Sequence, residues 1–303
     1  MDKIGIIGIG NIGAAILESL IDSDKEIIIS NRSKGVLQKY RKYKNVEIAE
    51  SNTKLAQEAK YVIVCVKPIN YPLIASEIYD YLNEDSVIIS IAAGYTMNKL
   101  EEIYPNRKYV MSMSNTPALV KEAMSAICPN KKVSKEETDD ILEIFSCFGK
   151  VAKLPEDNFA AFTAICGSLP TYIYMFIEAA SDAAVKNGMK RKASYEYIAQ
   201  TVKGSAELLL KTKDHPAKLK DDVTSPAGTS IEGLKSLENH GFRAAIMDAI
   251  DAVSDKYRKM WEGITYERSI NIIGRWVWRH RGTYSCWLFK KGRTRCWSSK
   301  YNW

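Results

Sequence analysis

One hexapeptide, Gly8-Ile9-Gly10-Asn11-Ile12-Gly13, limits what this chain can fold into more than any other feature. It stands between a short apolar run rich in β-branched residues, Lys3–Ile9, and a stretch of helical spacing over Ile12–Ile21. At a strand-to-helix junction this G-x-G-x-x-G pattern predicts a dinucleotide cradle. Gly8 permits the tight turn, Gly10 lets a pyrophosphate approach the backbone, and Gly13 permits close packing of helix on strand. Free N–H groups at the helix start then face the phosphate. Gly8, Ile9, Gly10, Asn11, Ile12 and Gly13 are therefore candidate cofactor-binding residues.

The pattern continues as alternating strands and helices. Strand-like runs are expected at Glu26–Ser30, Val46–Ile48, Tyr61–Val66, Ser86–Ala92 and Tyr109–Met113. Helical stretches are expected at Lys34–Tyr43, Asn52–Ala59, Tyr71–Leu82 and Thr96–Ile103. Strands this continuously apolar imply a parallel sheet covered on both faces. From Pro155 onward only helical patterns remain: Asp157–Cys166, Tyr172–Asn187, Ser194–Thr212 and Ile231–Trp261. The expected fold is a Rossmann-type α/β domain over residues 1–154, followed by an all-α domain over 155–267.

Residues 268–303 break from this composition. They hold nine Lys/Arg, no Asp/Glu and five of the chain's six tryptophans. Without them the +7 chain has 34 basic against 36 acidic residues, a net charge of −2. A basic nucleic-acid face is thus not expected of the folded body. The tail shows no amphipathic period, and Gly274, Gly282 and Gly292 interrupt any helix, so it reads as an out-of-frame or added extension. No unbroken run of about 18 apolar residues occurs, which argues against a membrane span. The start lacks a basic, apolar and small-residue leader, so export is not expected. The six cysteines show no paired spacing, as expected of a reduced, cytoplasmic setting.

Cofactor type is read at the end of the second strand. An NAD site usually places Asp or Glu there, on the ribose hydroxyls. This chain has Ser30-Asn31-Arg32-Ser33-Lys34 instead, with hydroxyls, an amide and two cations for a 2′-phosphate. NADPH is expected, with some use of NADH.

These landmarks, in order, resemble the pyrroline-5-carboxylate reductase family over Lys3 to about residue 262. The residues carrying the resemblance are the glycine pattern, Asn31-Arg32-Ser33, Val66-Lys67-Pro68, Ser90–Gly94, Met113–Ala118, Gly167-Ser168-Leu169-Pro170 and Asp222–Ile231. The resemblance implies a two-domain enzyme that reduces 1-pyrroline-5-carboxylate to L-proline and dimerises through its helical domain, with larger rings in some members. It also implies that Asn52, Val66, Lys67, Pro68, Ala92, Ala93 and Gly94 line the cofactor, with Asn115 in a floor beneath the nicotinamide. Three segments depart from the family pattern. Ser114 stands where a proline is usual, Leu169 and Thr171 interrupt G-S-[GS]-P-A-Y, and Ala227 and Ser230 alter S-P-G-G-T-T.

The Asp222–Ile231 segment also has a physical reading of its own. Thr229-x-x-Glu232 matches a capping box starting a helix near Ser230. That N-terminus offers N–H groups to a small carboxylate, and Ser225, Thr229 and Ser230 add hydroxyl donors. These three are the candidate catalytic residues. The three histidines do not cluster and no metal-ligand spacing occurs, so no metal is expected. Two alternatives stand beside this expectation. A β-hydroxyacid-type dehydrogenase would need a lysine on the inter-domain helix, and Phe159–Phe176 has none. A catalytically silent dinucleotide-binding paralogue is the other.

Overall fold

The computed structural model describes residues 2–263; the tail expectation for 268–303 lies outside them. The sheet and the helices through Lys259 form one compact unit. Its strands are β1 (Ile4–Ile7), β2 (Ile27–Ser30), β3 (Val46–Ile48), β4 (Tyr61–Val64), β5 (Val87–Ser90), β6 (Lys108–Met113), β7 (Ala123–Pro129) and β8 (Gly149–Lys153). Between them run α1 (Asn11–Leu20), α2 (Asn52–Glu58), α3 (Tyr71–Ile78), α4 (Met97–Ile103) and α5 (Lys135–Ser146).

The sheet order is β3-β2-β1-β4-β5-β6-β7-β8. Strand order reverses on either side of β1, which places the switch point beside the glycine loop. The expected strands, β1 to β6, all pair in parallel, and the one antiparallel pair joins β6 to β7. The β7–α5–β8 segment escaped the sequence reading. Its strands mix polar and apolar residues because they lie toward the sheet edge. By contrast β1, β2, β4 and β5 are buried along their whole length. β1, β2, β4 and β5 are shorter than the expected runs, most of all where apolar residues continue into the turns, whereas β3 matches its run and β6 starts one residue earlier. The stretch from Lys34 to Tyr40 is a 3₁₀ helix rather than an α-helix.

After β8 come α6 (Phe159–Phe162), a π-helical turn (Thr163–Ser168), α7 (Leu169–Lys186), α8 (Arg191–Thr212), α9 (Pro216–Val223), α10 (Thr229–Asn239) and α11 (Phe242–Gly263). The single helix expected over Ile231–Trp261 is two, because Gly241 takes φ +68°. Helices α7 and α8 pack together around a buried Ser181–Ser194 hydroxyl pair at 2.6 Å. Much of the outer apolar surface stays open: Tyr174, Met175, Phe176, Leu208 and Leu210 are exposed. Within Glu156–Lys186 one stretch of 18 residues is apolar enough by length and composition alone to cross a membrane. It is not an unbroken apolar run, because Thr163, Ser168, Thr171 and the tyrosines Tyr172 and Tyr174 interrupt it.

Candidate active site

The glycine loop follows the division of labour expected of it. Gly8 sits at φ +95°, and a Cβ there would stand 2.8 Å from the Cys65 carbonyl oxygen. A Cβ on Gly13 would collide with the Gly8 carbonyl oxygen. Gly10 differs, since among the described residues nothing lies within 4 Å of a Cβ built on it. Two glycines are thus required by the fold, and the third leaves open space in front of a helix start. Gly10 is also the N-cap of α1 and has no side chain to cap it, while the first turn carries no acidic residue. The N–H groups of that turn have no preceding helical carbonyl to satisfy them. These features fit a pyrophosphate.

At the end of β2, Asn31 ties the loop in place. Its Oδ1 accepts the Ile9 N–H at 3.0 Å, and its Nδ2 donates to the Ser33 carbonyl at 3.1 Å. Lys34 is not the second free cation expected from sequence. Its Nζ donates to the Ala49 and Glu50 carbonyls, each at 3.0 Å. Arg32 and Ser33 are exposed and available. Asn52 opens α2, and its Nδ2 donates to Glu77 at 2.9 Å.

The carboxyl ends of β4 and β5 carry the next two loops. Val66-Lys67-Pro68 follows β4, with Lys67 exposed, and Ala92-Ala93-Gly94 follows β5. Between β1 and β4, burial pushes the Cys65 thiol up to about 12, so it stays protonated at neutral pH. The Tyr95 hydroxyl, which the sequence reading passed over, donates to the Pro68 carbonyl at 3.0 Å and joins the two loops. Its signal in the sequence is a tyrosine directly after a glycine turn, with Tyr71 and Tyr104 nearby in the chain.

Asn115, expected beneath the nicotinamide, has both ends of its amide engaged by the protein. Nδ2 donates to the Cys166 carbonyl at 3.0 Å, and Oδ1 accepts the Met124 N–H at 3.1 Å. Ser114 is buried and pairs with the Ser125 hydroxyl at 3.0 Å on β7. That partner explains how a hydroxyl is accommodated where the family pattern has proline.

The 225–230 turn corrects one expectation. Helix α10 starts at Thr229, its N-cap is Gly228, and no side chain caps it. The capping-box match fails because Thr229 is already inside the first turn, so its hydroxyl cannot reach back. Ala227 takes φ +57°, a left-handed conformation that costs an alanine about 1 kcal/mol. The Gly228 N–H closes the turn on the Ser225 carbonyl at 3.0 Å. Ser225, Thr229 and Ser230 are all exposed. They lie together, but the turn and α10 make no substantial packing contact with the sheet, so within one chain they are not joined to the glycine loop. His215 caps α9, its Nδ1 accepting the Ala217 N–H at 3.2 Å.

A Rossmann cradle followed by an open-faced helical region defines a dinucleotide-dependent oxidoreductase. A model for NADP oxidoreductase, coenzyme F420-dependent, matches residues 3–94, and one for pyrroline-5-carboxylate reductase dimerisation matches 156–260. The pyrroline-5-carboxylate reductase of Escherichia coli is 41% identical over 263 residues, covering 85% of this chain and 98% of the relative. That of Methanosarcina acetivorans is 36% identical over 266 residues, covering 85% and 97%. A crystal structure of Plasmodium falciparum pyrroline carboxylate reductase with NADP bound superposes with a TM-score of 0.77 at 32% identity, covering 86% of this chain and 98% of that one. The chain belongs to the pyrroline-5-carboxylate reductase family.

Proposed function

We propose that this chain reduces 1-pyrroline-5-carboxylate to L-proline with NADPH, or with NADH as a second donor, as the last step of proline biosynthesis. The observation that carries this is the match to a reductase of that name over 85% of this chain and 98% of the relative, joined to a cradle left open over Gly10. The β-hydroxyacid and silent-paralogue alternatives have no such support. We place the enzyme in the cytoplasm as a homodimer, built through the helices matched by the dimerisation model. The exposed apolar surface of α7 and α8 supports that contact. Division into a cofactor domain, 1–154, and a helical domain, 155–267, follows the change of secondary structure after β8.

The residues would act as follows. Gly8, Ile9, Gly10, Asn11, Ile12 and Gly13 hold the pyrophosphate on the α1 N-terminus. Arg32 and Ser33 hold the 2′-phosphate, while Asn31 fixes the loop between them. Asn52 and the loops Val66–Pro68 and Ala92–Gly94 line the nicotinamide half, and Asn115 braces the floor. When bound, the reduced nicotinamide supplies the hydride. Brought to the nicotinamide by the dimer contact rather than within one chain, the α10 N-terminus and the Ser225, Thr229 and Ser230 hydroxyls orient the substrate carboxylate. Hydride adds to the imine carbon while the ring nitrogen takes a proton from solvent; a hydroxyl hydrogen bond at that nitrogen keeps the carbon electrophilic, and placement does the rest.

A turnover assay with pyrroline-5-carboxylate and NADPH tests this. Proline should form as NADPH is consumed. NADPH binding without turnover would identify a silent paralogue instead.

A further inference from the structure

Three tyrosines make a buried cluster behind the two strand-end loops. Tyr71 on α3 lies under Tyr95 with ring centroids 4.6 Å apart, and it meets Tyr104 edge-on at 6.2 Å. Tyr71 and Tyr104 are fully buried, and their hydroxyls lie close to one another inside the cluster. Tyr95 alone of the three turns its hydroxyl outward, to the Pro68 carbonyl. It is also the last residue of a tight turn, its N–H donating to the Ala92 carbonyl at 3.4 Å, with Gly94 at φ +83°. One side chain therefore links loop 65–68 to loop 92–95 while its ring is held by packing.

We propose that Tyr95 is a positioning residue for the nicotinamide half of the cofactor: its Oη–Pro68 bond sets the spacing of the two loops before binding. The proposal rests on the assignment of those loops to the cofactor. Two loops already held at the bound spacing lose less freedom on binding, and that difference appears as affinity. The effect is confined to the nicotinamide end, because the adenine end is held by α1 and the end of β2.

Tyr95→Phe keeps the ring and removes only the link. The Kd of NADPH should rise roughly threefold to tenfold, the effect of one lost hydrogen bond. The Kd of 2′,5′-ADP, which carries only the adenine end, should stay unchanged. Tyr104→Phe, which removes a buried hydroxyl from the same cluster without touching the Tyr95–Pro68 bond, should leave both values at wild type. No change in NADPH affinity for Tyr95→Phe, or equal losses for both ligands, would overturn the proposal. Gly10→Val serves as the control on the site itself and should weaken both ligands; unaltered binding there would overturn the cofactor assignment rather than the Tyr95 link. Should Tyr95→Phe fail to fold, hydrogen exchange on the wild type decides. Segments 65–70 and 91–96 should gain protection together on NADPH binding, and protection of one alone would overturn the link.

Discussion

The Asn115 side-chain amide donates to the Cys166 carbonyl at 3.0 Å, the carbonyl that Pro170 leaves without a donor four residues on. An α-helix would pair residue 166 with the N–H of residue 170, and proline has none. The chain passes through a π-helical turn at Thr163–Ser168, and an amide from the end of β6 takes over the bond. The same amide accepts the Met124 N–H from β7, so one side chain fastens the helical region to the sheet.

Asn115→Ala should therefore act first on stability. Removing the amide leaves a carbonyl and an N–H unpaired, a loss of about 1–3 kcal/mol. Thermal melting of the purified enzyme measures it. A variant that melts with the wild type but binds NADPH poorly would make Asn115 a direct cofactor contact instead.

Arg32 and Lys34 should separate sharply. Arg32→Ala should weaken NADPH roughly tenfold or more and NADH little, because a charge-assisted phosphate contact disappears. Lys34→Ala should alter neither preference, since its Nζ is held by the Ala49 and Glu50 carbonyls. Titrating both variants with both cofactors checks the pair, and equal losses in Arg32→Ala would remove the 2′-phosphate assignment.

Ser230→Ala should lower turnover while leaving NADPH affinity intact. One hydrogen bond to a charged group is worth about 1.5–3 kcal/mol, or roughly tenfold to a hundredfold in rate. Steady-state kinetics at saturating NADPH reads it. Wild-type rates would place the substrate away from the 225–230 turn.

Acid sensitivity should trace in part to Glu137. Burial resists its ionisation, yet the Lys108 ammonium at 2.6 Å and the Ser134 N–H at 2.8 Å prevail and hold its carboxyl below the usual value. A carboxyl depressed in the folded state contributes stability above its unfolded pKa, about 4.3, and loses it as pH falls through the folded value. Glu137→Gln should be less stable at pH 7 by about 1–3 kcal/mol and should lose less on acidification below about pH 5. Melting curves from pH 7 to pH 3 compare the two, and parallel acid slopes would count against the assignment.

A chain ending at Arg268 should keep its fold, its dimer and its reductase activity, because residues 268–303 differ in composition from everything before them. Size-exclusion chromatography and turnover of the shortened chain test this. Loss of either property would make the tail part of the enzyme.

Sequence alone determined the cradle, the strand-helix alternation through Met113 and the change to helices after Pro155. Those features rest on local rules: a glycine that must turn, a buried strand that must be apolar, a helix that must repeat. Its limit appears wherever a residue's role depends on what lies opposite. Lys34 looks like a free cation until Ala49 and Glu50 present their carbonyls, and Thr229 looks like a cap until the helix starts one residue early. Asn115 and Cys166, fifty-one positions apart, meet only when the sheet and the helical region close on each other. Tyr95 and Pro68 meet only because β4 and β5 are neighbours in the sheet. Hydrogen bonds form between groups at fixed distances in space, and spacing along a chain does not encode those distances until the fold brings the partners together.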